Sequence, residues 1–108
     1  MPQANLSYSA HIKLDAPAIL ARAEEVIKAA DAGAGSCKGR AYPLSQTHHD
    51  HVFLHIRVLD KPHRDAAFMK ALLADLHGAL DPLIAGPCTF SIELGFQSPY
   101  GSSADIPA

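Results

Sequence analysis

With 108 residues, 48% of them hydrophobic and 19% charged, the chain has the size and balance of one globular domain, residues 1–108. A formal net charge of −2 offers no general attraction to nucleic acid or an anionic membrane, so any anion must be held by local cations. Cys37 and Cys88 are too few for a disulfide framework and lack CxxC spacing, and neither a long apolar span nor a signal-peptide pattern is present, which predicts a soluble, cytoplasmic protein.

Residues Ala4 to Leu14 alternate, with Leu6, Tyr8, Ala10, Ile12 and Leu14 against Asn5, Ser7, Ser9, His11 and Lys13, predicting a first strand with one buried face. Asp15 is a suitable N-cap and Pro17 falls in the first turn of a helix, where a missing N–H costs little. Ile19, Leu20, Ala23, Val26, Ile27 and Ala30 then recur at helical spacing, and Gly33 and Gly35 supply the turn that ends it. Cys37 to Leu44 reads as a second strand that Pro43 assigns to an edge or a strand end.

His51 to Leu59 is the clearest strand. Val52, Leu54, Ile56 and Val58 form one face; His51, Phe53, His55, Arg57 and Leu59 form a mixed second face. A turn at Asp60-Lys61-Pro62-His63 leads to a second helix starting near Arg64 or Asp65, with Phe68, Met69, Leu72, Leu73, Leu76 and Leu80 as its apolar stripe. Cys88 to Phe96 alternates as a fourth strand, with Cys88, Phe90, Ile92, Leu94 and Phe96 inward. Gln97 to Ala108, rich in small residues, reads as a loosely held tail.

The expected fold is therefore an α/β (α+β) two-layer domain. Two βαβ units form a four-stranded sheet, and right-handed crossovers put both helices on one face. The uncovered face predicts an oligomer whose sheets meet, which also suits a short chain that buries little surface alone.

Pro2 is the first candidate for chemistry. If Met1 is removed, Pro2 presents a secondary amine; an α-amino group titrates at roughly 7.7–8.0, and burial or nearby cations lower it. Such an amine is a general base near neutral pH. On its own, Pro at position 2 equally well sets only how the N-terminus is processed.

Pro2 after Met1, the β-α-β-β-α-β order and the chain length resemble the tautomerase superfamily. His49-Asp50-His51-Val52-Phe53-Leu54-His55-Ile56 and Phe90-Ser91-Ile92-Glu93 are similar to 5-carboxymethyl-2-hydroxymuconate isomerases. The resemblance spans about Pro2 to Phe96. It implies a homotrimer with sites near the protomer interfaces and a cofactor-independent isomerase of aromatic-compound breakdown. In such an enzyme the N-terminal proline moves a proton of a small carboxylated substrate. A family pair of arginines falls on Lys38-Gly39-Arg40, so the resemblance implies substrate binding by Arg40 and by Lys38, which keeps the charge without the bidentate fork. A further family arginine falls on Arg64. Read from the residues alone, all three are ordinary surface charges, and Arg64 is a helix-start residue.

The seven histidines invite a metal reading. His49, His51 and His55 share strand parity, with His48 and His63 as possible neighbours, yet no Cys or carboxylate stands at a helpful spacing for a tetrahedral site. Hydrogen bonding to neighbours is the simpler reading, so no metal is assigned. Two other readings stay open: a tautomerase for a different keto or unsaturated acid, and a non-catalytic ferredoxin-like binding module, which shares the element order.

Overall fold

The computed structural model describes residues 1–108. The chain runs β1 (Gln3–Ser9), α1 (Ala16–Ala30), β2 (Lys38–Leu44), β3 (His51–Val58), α2 (Ala66–Leu80) and β4 (Thr89–Phe96), with one 3₁₀ turn after each helix, at Ala32–Ala34 and Asp81–Leu83. The strands form one sheet in the order β2-β1-β3-β4. β1 is parallel to β2, β3 is parallel to β4, and the two units join antiparallel along β1 and β3. The strands of each βαβ unit are direct neighbours, so neither unit is split by an inserted strand. That topology removes the ferredoxin-like alternative, whose βαβ units are split.

Local chemistry sets the element ends. The Asp15 carboxylate accepts from the Ala18 N–H at 3.1 Å to cap α1, and Asp65 caps α2 through the Phe68 N–H at 2.9 Å. Gly35, at φ 76°, takes the left-handed backbone that turns the chain from α1 toward β2. β1 is shorter than its alternation predicts. The buried Ser9 hydroxyl bonds Thr47 Oγ1 at 2.9 Å and accepts from the His51 N–H at 3.2 Å, tying the strand's end to the β2–β3 loop. Beyond it the Ile12 N–H turns back to the Ser9 carbonyl at 2.9 Å, while Ile12 and Leu14 still pack against the core from outside the sheet.

The core is a single layer between the sheet and both helices. Ala4, Leu6, Val52, Leu54, Ile56, Val58 and Ile92 from the strands meet Ile19, Ala23, Val26 and Ile27 of α1 and Leu72, Leu76 and Leu80 of α2. Burying each of the larger aliphatic side chains contributes about 1.5–3 kcal/mol. The approach of α1 to β2 is close. A Cβ on Gly39 would come within 3.0 Å of the Leu20 side chain, so this strand position needs glycine or a shifted leucine. Phe96, expected inward, is 43% exposed, because β4 is an edge strand and its last residue runs past the helix layer.

No helix covers the opposite face of the sheet. Register places Lys38, Gln3, Arg57 and Gly95 in one row across it, then Arg40, Asn5, His55 and Glu93, then Tyr42, Ser7, Phe53 and Ser91. Phe53 and His55 stack with ring centroids 6.1 Å apart.

Candidate active site

Pro2 stands at the head of β1, a central strand. Its carbonyl accepts from the Lys38 N–H at 2.9 Å, which extends the β1–β2 ladder by one step. Its ring is less than 2% exposed and belongs to the helix-covered layer, as Ala4 and Leu6 do. Its two chain neighbours, Met1 and Gln3, line a cleft of about 430 Å³ together with Arg57, Leu59, Gln97, Ser98 and Gly101 to Ser103; Pro2 itself is not part of that lining. Met1, 37% exposed, is itself part of that lining. Its loss would enlarge the cleft at the nitrogen.

Arg40 lies two residues along β2 from Lys38, opposite Asn5 in the register. Its guanidinium donates to Asn5 Oδ1 at 2.9 Å, to Gln3 Oε1, and to the Lys38 carbonyl at 3.1 Å. These bonds hold it against the helix-free face. A guanidinium has five N–H donors, so this one retains donors for an anion. Lys38 is exposed in the next row, opposite Gln3. Pro2, Lys38 and Arg40 are thus gathered at one end of the β1–β2 pair, with Lys38 and Arg40 outside the lining of the cleft itself and reaching it only through Gln3.

Arg64 is elsewhere. Its side chain is 3% exposed, and it donates to Asp31 Oδ2 from Nε at 3.1 Å and from Nη2 at 2.8 Å, and to the Leu59 carbonyl from Nη1 at 2.9 Å. Asp31 also takes a 2.7 Å bond from His63. The His63 and Arg64 hydrogen bonds hold its carboxyl well below the usual carboxylate range. Asp31 and Asp65 thus have separate tasks: the first pairs Arg64, the second caps α2. The cluster pins the end of α1 to the β3–α2 turn, and Arg64 does not line the cleft.

Two residues that do line it had no role in the sequence reading. Arg57 had been placed on the mixed face of its strand; only the β1–β3 register, which sets Gln3 opposite Arg57, brings it beside the head of β1. Gln97 reads in sequence as the start of the tail. Its backbone N–H instead donates to the Val58 carbonyl at 2.8 Å, and its side-chain amide reaches the Met1 carbonyl at 2.6 Å. Neither placement has a local signature.

The histidines are dispersed into separate pairings. His11 meets Asp50 at 3.0 Å, His77 meets Asp81 at 2.7 Å, and His51 Nδ1 bonds the His49 carbonyl at 2.9 Å. No three His, Cys, Asp or Glu side chains converge as a metal site. Burial and the nearby Glu24 carboxylate push the Cys37 thiol up, away from the thiolate a nucleophile needs.

No helix is long and apolar enough to cross a membrane. No protein-family model and no curated protein matches this chain in sequence. Solved structures do match its fold. A 5-carboxymethyl-2-hydroxymuconate delta-isomerase superposes with a TM-score of 0.69 at 15% identity, over 98% of this chain and 89% of that one. A 5-carboxymethyl-2-hydroxymuconate isomerase from Deinococcus radiodurans R1 gives 0.65 at 21% identity, over 98% and 90%. The FG41 malonate semialdehyde decarboxylase gives 0.69 at 14% identity, over 98% and 91%. At these identities the likeness is one of architecture: the chain has the tautomerase fold, shared with 5-carboxymethyl-2-hydroxymuconate isomerases.

Proposed function

We propose that this protein is a cofactor-independent isomerase of the tautomerase kind. It moves a proton in a carboxylated 2-hydroxydienoate or 2-oxo-enoate, as a 5-carboxymethyl-2-hydroxymuconate isomerase does, with Pro2 as the base. The observation that carries the reading is the seat of Pro2: a ring less than 2% exposed, between Met1 and Gln3, which both line the cleft. Freed of Met1, the Pro2 nitrogen would be a secondary amine one step along the sheet from the row of Lys38 and Arg57, with Arg40 on the row beyond. Burial and cations both disfavour its protonated form.

The neutral amine takes the 2-hydroxyl proton of the dienol, and the prolinium returns a proton to a carbon further along the conjugated system. No redox step or co-reactant is involved. Arg40, held ready by Gln3 and Asn5, and Lys38 bind carboxylate, while Arg64 serves the fold through Asp31. The helix-free face, with Phe53, His55 and Tyr42 on it, fits self-association as a homotrimer. The same reading expects a cytoplasmic enzyme.

Lys38 favours one alternative, a tautomerase for a different keto or unsaturated acid, because a single ammonium fixes a carboxylate less strictly than a fork does. Fold alone does not choose between them.

The test is ultraviolet absorbance of a 2-hydroxymuconate-type dienol as it ketonises. Protein processed to Pro2 is compared with protein carrying one extra residue before it. The extension turns the amine into an amide, and the rate is expected to fall by about 10²–10⁴, the usual contribution of a positioned base. Equal rates would remove Pro2 as the base.

A further inference from the structure

We infer that the side-chain amide of Gln97 binds the oxygen on C2 of the substrate, and that the site therefore selects acids oxygenated at that carbon. The inference rests on the proposed role of Pro2 and adds the residue that recognises the oxygen at C2.

Gln97 is fixed by its backbone. Its N–H donates to the Val58 carbonyl at 2.8 Å, carrying the β3–β4 pairing one step past the strand's end. Arg57 pairs with Gln3, so this step lies level with Pro2. The side-chain nitrogen then has two acceptors. One is the Arg57 carbonyl at 3.4 Å, and the other is the Met1 carbonyl at 2.6 Å.

The second acceptor is informative because of where it sits. The Met1 carbonyl oxygen is two bonds from the Pro2 nitrogen. In the processed chain that acyl group is gone, and the Gln97 N–H is left directed at the space facing the amine, inside the cleft that Arg57, Leu59 and Ser98 also line. A substrate delivering its 2-hydroxyl to the Pro2 nitrogen brings an oxygen to that space.

When the amine takes the proton, the O–H bond breaks and its electron pair stays on the oxygen. A donor already aimed at that oxygen stabilises the developing charge without reorganising. Gln97 is suited to this because a neutral amide donates without competing with Pro2 for the proton. Its second N–H, on the Arg57 carbonyl, keeps the amide plane oriented. An unsaturated acid with no oxygen at C2 would leave the donor unpaired in the cleft, which works against its binding.

Two measurements on the processed protein test this, one of them independent of turnover. The first is calorimetric affinity for 2-oxohexanoate and for hexanoate. Wild type should favour the oxo acid by about tenfold, the worth of one good hydrogen bond, and Gln97→Met should bind both equally. The second is ketonisation of the dienol, where Gln97→Met should raise KM by about tenfold, the bond to the bound 2-oxygen being lost, and lower kcat by up to about 10²-fold, the bond strengthening as charge develops. Gln97→Glu, which keeps the shape and replaces the donor with an acceptor, should show the same losses. The backbone bond to Val58 is retained in each variant, and thermal unfolding checks that each is folded. A wild type with no preference for the oxo acid overturns the assignment, and so does a Gln97→Met protein that keeps both the preference and kcat. Failure of the Pro2 reading shows separately, as equal rates for processed and extended protein.

Discussion

Replacing Arg64 by leucine separates two roles for this residue. The family resemblance would have it bind a substrate carboxylate, whereas its geometry makes it a fastener between the end of α1 and the β3–α2 turn. The guanidinium is 3% exposed, and its Nη1 donates to the Leu59 carbonyl at 2.9 Å. A hydrogen bond from a charged donor contributes about 1.5–3 kcal/mol, and leucine removes it. Unfolding entropy near 2.1 cal/mol/K per residue makes each kcal/mol worth roughly 4–5 °C in a chain of this length. The Leu59 bond alone therefore predicts a fall in Tm of about 7–13 °C, followed by far-ultraviolet circular dichroism on heating. Below the transition, KM for the dienol should stay within about twofold of wild type, since the Arg64 guanidinium is buried and engaged by Asp31 and the Leu59 carbonyl. A Tm within 2 °C of wild type, with KM raised about tenfold, would refute this reasoning and return Arg64 to the substrate.

Arg40→Gln should raise KM about tenfold or more and leave Tm nearly unchanged, because its bonds lie on the open sheet face and are partly exposed; steady-state kinetics and a melt decide it. Asp31 predicts a pH dependence. Its folded-state pKa is depressed, so its pairing with His63 and Arg64 stabilises the protein above the ordinary carboxylate pKa, and that contribution is lost as pH falls below it. Urea midpoints should fall between pH 6 and pH 2.5 by more in wild type than in Asp31→Asn, and parallel curves would contradict the assignment.

Much of the fold is legible in the chain because it is written locally. Both helices follow from apolar residues at helical spacing behind Asp15 and Asp65. The third strand follows from Val52, Leu54, Ile56 and Val58 alternating with polar residues, and the order of elements places both helices on one face. These signals depend on side chains within a few residues of each other, so one sequence carries them. Pro2 is a candidate for the same reason, because its place behind Met1 is read without any tertiary contact.

What the tertiary structure decided is pairing at a distance. Periodicity says that Arg57 is on one face of its strand; only the antiparallel register of β1 and β3 sets it opposite Gln3, in the lining of the cleft beside Met1. Gln97 read as the start of a tail, since nothing adjacent reveals that its amide reaches back across the sheet to Met1. Arg64 looked like a helix-start cation until Asp31, 33 residues away, proved to hold it. The first strand ended early for a similar cause, a Ser9 hydroxyl captured by Thr47 from the β2–β3 loop. Local spacing sets which face a side chain takes, but register and loop closure set what that face meets, and these depend on the packing of the whole chain.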